Sequence, residues 1–181
     1  IDWNEFRDLQ VAYFKAGVID IEAITDHAIF GVLYRLADRH RIPILLTGQN
    51  PWTESLLPAA WIHHKNDLVN LLSIHARYGA VPLRTYPTLG MYEHFRYYYV
   101  RNIRPESFLC HRRFTGDEVR ETLGREYGWR DYGWKHHESI FTRFYQSYVL
   151  PRKFGVDKRR AHLSALILSG ERTREQALEI L

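Results

Sequence analysis

The feature of this chain that most constrains its fold is a short continuous apolar run, Ile42 to Leu46, which ends in Thr47-Gly48. Uninterrupted apolar residues are typical of a strand that is buried on both faces, as in a parallel sheet. We therefore predict a buried parallel strand that delivers a loop at its carboxyl end. A second strand is predicted from Leu83 to Tyr86, before Pro87. Because two strands are too few for a doubly wound sheet, the expected fold class is α/β but predominantly helical.

Most of the remaining chain has helical spacing between recognisable start and stop residues. Helices are predicted at 2–16, from 26 to about 39, at 66–78, at 115–127, from about 138 to 149, at 157–168 and at 173–181. The second of these is expected to face the core with four apolar residues, Ile29, Val32, Leu33 and Leu36. Pro151 is expected to end the fifth. Residues 91–100 are rich in tyrosine and fit either a helix or a strand.

Composition and charge limit the classes of function. Of the 181 residues, 45% are hydrophobic and 25% are charged, which is enough for a substantial core. A net charge of +4 permits an anionic partner without requiring nucleic acid. Cys110 is the sole cysteine, which excludes an internal disulfide and a cysteine zinc cage. No apolar run approaches the ~20 residues of a membrane span, so we expect a cytoplasmic location and no membrane partner.

A cluster of cations near the C-terminus suggests that an anion binds there. Five basic residues accompany a single acid, Asp157, just ahead of an apolar helical run. They are Arg152, Lys153, Lys158, Arg159 and Arg160. Solvated helices usually mix signs of charge, so a cluster of one sign favours a phosphate-bearing partner. The alternative is a basic surface stripe that binds no ligand.

Four separated blocks of the chain resemble, in the same order, the N-acetyl sugar amidotransferases, which are PP-loop ATP pyrophosphatases of surface-polysaccharide and nonulosonic-acid biosynthesis. The blocks are DWNEFRDLQVAYFKAGVIDIEAITDHAI, ILLTGQNPWTESLLPAAW, GWRDYGWKHHESIFTRFYQ and KFGVDKRRAHLS. The resemblance implies that residues 1–87 are the C-terminal half of a PP-loop (adenine nucleotide alpha hydrolase-like) α/β domain. It implies that residues 88–181 form a helical region that binds substrate or partner.

The SGGKDS-like phosphate loop and the CxxC-type cysteine pair of that family are not found in this sequence. The chain is therefore expected to be the C-terminal part of a longer protein and inactive alone. A shortened or diverged homologue is the alternative.

By the same resemblance, the reaction converts the N-acetyl group of a nucleotide-linked sugar to an acetamidino group, in lipopolysaccharide, O-antigen or related glycan biosynthesis. ATP with Mg²⁺ would adenylate the amide oxygen, and ammonia would then displace AMP. The expected partners are a glutaminase subunit that supplies ammonia and, further, a cyclase-like channel subunit; nucleic acid is not expected. Two other functions stay open: a tRNA-modifying enzyme of the ATP pyrophosphatase type, and a non-catalytic docking module for the glutaminase.

The segment after the first predicted strand is the candidate nucleotide-binding site. Polar groups and glycine at the carboxyl end of a strand are well placed to contact a ligand. By resemblance to the second nucleotide-binding segment of PP-loop enzymes, Thr47, Gly48, Asn50 and Glu54 are assigned to ATP. The alternative is an ordinary strand-to-helix turn that Thr53 caps.

Two pairs of residues are candidates for catalysis. Asp26 and His27 stand where related tRNA-modifying enzymes place a helix-opening catalytic cysteine, although a carboxylate at a helix start is commonly only a cap. Lys135 and His136 match the family's GGKHYES block and could stabilise developing negative charge. In that block Trp134 replaces a glycine and His137 replaces a tyrosine.

The candidate substrate-binding residues are all charged: Glu138, Arg143, Lys158, Arg159 and Arg160. Cations in the first turn of a helix oppose the helix dipole, and a bound anion would relieve that conflict. No metal site is expected at His136-His137 or at His63-His64, because adjacent side chains diverge.

Overall fold

The computed structural model describes residues 1–50, 57–111, 114–133, 137 and 139–181. It divides the chain into two units. Unit 1 comprises Ile1–Thr47 and Ala59–Glu106, and unit 2 comprises Gly48–Pro58 and Ser107–Leu181. The sequence-based division is placed after Pro87, and the roles assigned to its two parts stay predictions.

Unit 1 is built from four α-helices and a small sheet within its described residues. The helices are α1 (Trp3–Ala16), α2 (Ala23–His40), α3 (Leu68–Tyr78) and α4 (Met91–Phe95), and α4 continues into a π-helical turn, Arg96–Val100. A 3₁₀ turn spans Ala59–Trp61. The Asp2 carboxylate accepts from the Asn4 amide at the start of α1, and Gly17, in the left-handed conformation, ends that helix. Both ends of α1 were predicted, and α1 packs against α3.

The sheet of unit 1 consists of β1 (Ile44–Leu46) and β2 (Arg104–Glu106), which run parallel with Ile44 opposite Arg104. The predicted parallel strand is therefore confirmed, but its burial is not, because Ile44 and Leu46 are exposed. The strand predicted at 83–86 is wrong. The Thr85 and Tyr86 amides donate instead to the Glu5 carboxylate, at 2.8 and 2.9 Å, so they are not available for strand pairing.

The face of α2 that meets the core is opposite to the predicted one. The four large apolar residues expected inside are 37–50% exposed. The buried stripe instead contains Ala28, Gly31, Tyr34 and Ala37. Small residues let this helix approach the chain closely: a Cβ on Gly31 would lie 2.6 Å from the Pro87 carbonyl oxygen. Hydrophobic periodicity predicted that the large side chains face the core. The close contact with Pro87 instead requires a residue without a side chain at position 31.

Tyr34 and Ala37 join Leu89, Tyr97 and Ile103 in a buried cluster, against which Leu45 of β1 packs. The rings of Tyr34 and Tyr97 stack with centroids 5.6 Å apart. This cluster fixes α2 beside the sheet.

The described residues of unit 2 form helices that are joined by loops. Its elements are a 3₁₀ turn (Phe108–His111), α5 (Gly116–Tyr127), α6 (Ile140–Phe144), a π-helical segment (Tyr145–Phe154), α7 (Lys158–Leu168) and α8 (Arg174–Ile180). Thr115 and Glu118 form a capping box at the start of α5, a helix that was predicted at 115–127. The mostly helical fold with parallel strands is as predicted, whereas membership of the PP-loop class stays a prediction. No helix in the described part of the chain is long and apolar enough to cross a membrane.

Pro151 does not end the helix as predicted. The chain continues helically to Phe154 and stops at Gly155, which is left-handed with φ 67°. In an α-helix the proline ring clashes with the carbonyl one turn earlier. In a π-helical turn, each amide bonds to the carbonyl five residues earlier rather than four. The wider turn leaves room for the proline ring.

Candidate functional site

The predicted site residues are divided between the two units. Unit 1 holds Asp26, His27 and Thr47. Unit 2 holds Gly48, Asn50, Arg143 and the three cations of α7. Four predicted residues, Glu54, Lys135, His136 and Glu138, lie outside the described residues.

An aromatic and cationic ladder runs along the exposed side of the helix formed by α6 and the π-helical segment. Phe144 and Tyr148 stack with ring centroids 5.5 Å apart and planes inclined by 15°. The Arg152 guanidinium lies 4.4 Å from the centre of the Tyr148 ring, and its Nη1 donates to the Tyr148 hydroxyl at 3.2 Å. Phe144 and Tyr148 are 56% and 48% exposed, so solvent reaches both side chains. Stacking of this kind holds the rings flat and places a cation at one end of the ladder.

The first turn of α7 follows this ladder closely in the chain. Asp157 caps α7 by accepting from the Arg159 amide at 3.0 Å, and it also accepts from the Arg159 guanidinium at 2.7 Å. This hydrogen bond from Arg159 holds the pKa of Asp157 below its ordinary value. Arg159 is thus already paired, which favours a structural role for it. No hydrogen bond or ion pair of the Lys158 or Arg160 side chain is found among the described residues, although the charge of Arg160 also helps to lower the pKa of Asp157.

We call residues 143–160 the basic–aromatic segment. Besides the ladder and the α7 cations it contains Arg143, which is exposed, and Lys153, whose ammonium lies 5.1 Å from the Phe154 ring centre. Exposed aromatic faces stack on planar groups, and guanidinium groups bind phosphate in a bidentate manner. The segment can therefore bind a ligand that combines a base or sugar ring with phosphate.

Asp26 and His27 are adjacent in sequence but have different environments. The Asp26 carboxylate lies 3.1 Å from the Lys65 ammonium and is partly exposed. Lys65 also pairs with Asp20 at 2.6 Å. Burial alone would lower the pKa of Lys65, but the two carboxylates raise it above its ordinary value.

His27 is 1% exposed, and both its ring nitrogens are engaged. Nε2 accepts from the Leu89 amide at 3.0 Å, so Nδ1 carries the proton and donates to the Lys65 carbonyl at 2.8 Å. Burial lowers the pKa of His27 and keeps the ring neutral. These contacts favour a structural role, and catalysis by Asp26 and His27 stays a prediction.

The described part of the predicted nucleotide segment offers one open position. A Cβ on Gly48 would meet no atom within 4 Å, so the backbone there is accessible. Asn50 is buried, with 6% exposure, and Thr47 donates its amide to the Glu106 carbonyl at 2.9 Å. Among described residues no group of three or more His, Cys, Asp or Glu side chains could hold a metal ion.

Phe144 and Tyr148 were not among the predicted site residues. The signal for them is the spacing F-x₃-Y-x₃-R at 144, 148 and 152, which places three flat groups on one helix face.

Comparison with known proteins adds one finding for this region. Residues 138–181, about a quarter of the chain, match the family described as LPS biosynthesis protein WbpG-like, C-terminal domain. This segment is similar to the C-terminal region of an LPS biosynthesis protein. The match covers the ladder and all of α7. No curated protein and no solved structure matches the chain.

Proposed function

We propose that this chain binds the nucleotide-linked acetamido sugar for an ATP-dependent amidotransferase of lipopolysaccharide biosynthesis. The enzyme would convert the N-acetyl group of that sugar to an acetamidino group with ammonia from a glutaminase partner. The single observation that carries this proposal is the coincidence of two features in one stretch. The segment that matches the WbpG-like C-terminal domain also holds the exposed ladder and the cations of α7.

The basic–aromatic segment suits a nucleotide-sugar. Tyr148 lies between Phe144 and Arg152, so the outer face of Phe144 would offer stacking for the base or the sugar ring, and Arg152 lies at the other end of the ladder. Lys158 and Arg160 would pair with the diphosphate, because Asp157 already neutralises the cation between them. An anion there would also relieve the conflict between these cations and the dipole of α7.

ATP and Mg²⁺ are proposed because the sequence resembles the PP-loop ATP pyrophosphatases. ATP would supply leaving-group activation of the amide oxygen. Gly48 leaves room for a nucleotide beside the backbone, whereas the buried side chain of Asn50 favours packing over metal binding. Asp26, His27, Lys135 and His136 are retained as candidates for placing the acceptor group.

Calorimetric titration of the chain with UDP-N-acetylglucosamine and UDP-glucose tests the binding step, since these probes differ at the acetamido group. We expect binding of the acetamido sugar, weakened about ten-fold in Arg160→Gln, because a charged hydrogen bond contributes roughly 1.5 kcal/mol or more. Tyr148→Ala removes the ring that holds Phe144 and Arg152 in the ladder, and because stacking of a base is worth about 1–3 kcal/mol, it is expected to weaken binding at least five-fold. Arg174→Gln is the matched control, because Arg174 lies in α8, outside the basic–aromatic segment. Equal affinity in wild type, Arg160→Gln and Tyr148→Ala would contradict the assignment.

A second candidate function, a non-catalytic docking module for the glutaminase, is favoured by the exposed apolar face of α2. Its members Ile29, Val32, Leu33 and Leu36 are 37–50% exposed. Binding of the glutaminase without any nucleotide-sugar affinity, with loss of that binding in Leu33→Asp, would support this function. Strong salt-dependent binding of tRNA would instead favour the tRNA-modifying alternative.

A further inference from the structure

Unit 1 contains a cavity of about 250 Å³ where the carboxyl end of α2 meets the residues that lead into β1 and β2. Its wall includes the apolar residues Ile42, Pro43 and Ile103 and the charged residues Asp38, Arg41 and Arg101. Typical small-molecule sites occupy roughly 300–1,000 Å³. This cavity therefore suits a small anionic molecule rather than a whole nucleotide-sugar.

Asp38 orients two guanidinium groups at this cavity. Its Oδ1 lies 2.6 Å from Nε of Arg101, and its Oδ2 lies 2.7 Å from Nη2 of Arg96. Burial alone would raise the pKa of Asp38, but these two arginines lower it, so the carboxylate stays charged. Arg101 pairs with Asp38 through Nε, and no hydrogen bond from its two Nη groups to another residue is found among the described residues.

Arg41 provides a third cation. Its guanidinium has no side-chain partner in the part of the chain that the structure describes. Its backbone is left-handed, with φ 55°, and Asn102, next to Arg101, has φ 54°. No other non-glycine residue has positive φ among those described. Such conformations are unfavourable for residues with a Cβ, and they concentrate at functional sites.

The helix end does not exclude an anion here. The terminal carbonyls of α2 carry partial negative charge, which would repel one. The Arg41 amide donates to the Ala37 and Asp38 carbonyls, and the Ile42 amide also donates to the Ala37 carbonyl, at 2.8 Å. The wall of the cavity holds two guanidinium groups, of Arg41 and Arg101, and one carboxylate, of Asp38, so the cavity carries net positive charge.

We propose that this cavity binds the phosphate or carboxylate group of a small molecule through Arg41 and Arg101. The free Nη groups of the oriented Arg101 match the paired oxygens of either anion, and Arg41 adds a second fork. The apolar wall contacts the rest of the ligand. This site is independent of the basic–aromatic segment, which belongs to unit 2.

The test is an NMR titration of the ¹⁵N-labelled chain with inorganic phosphate and, separately, with acetate. Sodium chloride at the same ionic strength is the reference, which separates binding from screening. We expect saturable shifts at the Arg41, Ile42 and Ile103 amides. Arg41→Gln should weaken binding about ten-fold or more. Arg39→Gln should leave binding unchanged, because this exposed cation of α2 does not line the cavity.

Arg41→Gly separates the effect of backbone strain on stability from the effect of the guanidinium on anion binding. Glycine tolerates the left-handed conformation, so this variant should melt at a higher temperature yet bind the anion no better than Arg41→Gln. Saturation by phosphate alone would identify a phosphorylated ligand, and saturation by acetate would identify a carboxylate. If neither anion shifts these unit 1 amides in a saturable manner, or if Arg41→Gln binds as the wild type does, the proposal is overturned.

Discussion

Replacement of Gly31 by alanine tests how closely α2 packs on the chain at Pro87. The added Cβ would lie 2.6 Å from the Pro87 carbonyl oxygen and 3.2 Å from its carbonyl carbon. Both are backbone atoms, so they cannot move aside as the end of a flexible side chain can. Overpacking of a core costs about 1–3 kcal/mol, and alanine recovers about 1 kcal/mol of helix propensity. We therefore expect Gly31→Ala to lower the free energy of unfolding by up to about 2 kcal/mol.

Gly124→Ala is the matched control, because Gly124 lies in α5 and its added Cβ would have its nearest contact at an ordinary 3.7 Å. It should raise the free energy of unfolding by up to about 1 kcal/mol. Urea denaturation followed by circular dichroism measures both changes, and native-state hydrogen exchange assigns each to its unit. A Gly31→Ala chain at least as stable as the wild type, with Gly124→Ala behaving as expected, would refute the close approach of α2.

Two further predictions follow from buried and open positions. Burial lowers the pKa of His27 below its ordinary 6.5, so the unfolded chain binds the proton more readily. Stability from this group is complete above pH 6.5 and declines as the pH falls towards the lower folded pKa, at most about 1.4 kcal/mol per pH unit. Denaturation of wild type and His27→Gln across pH 5–7 should show this slope in the wild type only; equal slopes would contradict it. Gly48→Ala should leave stability unchanged, because the Cβ meets no atom within 4 Å, and should weaken ATP binding if the nucleotide contacts this backbone. Unchanged ATP affinity would exclude Gly48 from the site.

Helix ends were predictable from the sequence because capping is local. Asp2, Thr115 and Thr173 each accept from an amide two or three residues later, as their residue types favour. Gly17 ends α1 because only a short segment decides its conformation. These elements needed no knowledge of the rest of the fold.

The inward face of α2 and the second strand were not predictable in this way. Gly31 faces inward against Pro87, which is distant in sequence, so a local pattern could not predict this contact. β2 reads Arg-Pro-Glu and carries no apolar signal, so only its pairing with β1 identifies it as a strand.

The candidate site likewise has features that the sequence predicts and features that it does not. The cations of α7 were visible in the sequence as a cluster, and their place in the first turn of a helix is confirmed. The pairing of Arg159 with Asp157 depends on the rotamers adopted at the cap. Tyr148 belongs to the candidate site because it stacks with Phe144 and Arg152, and a count of charges does not reveal that contact.

The most direct test of the proposed function is turnover by the full-length gene product. The protein would be supplied with ATP, Mg²⁺, ammonia and a panel of nucleotide-linked acetamido sugars, and AMP and pyrophosphate would be quantified beside the sugar product. We predict AMP and pyrophosphate in equal amounts, formed only with an acetamido sugar, and a product in which the amide oxygen is replaced by NH. Absence of AMP and pyrophosphate with every sugar tested would contradict the proposal.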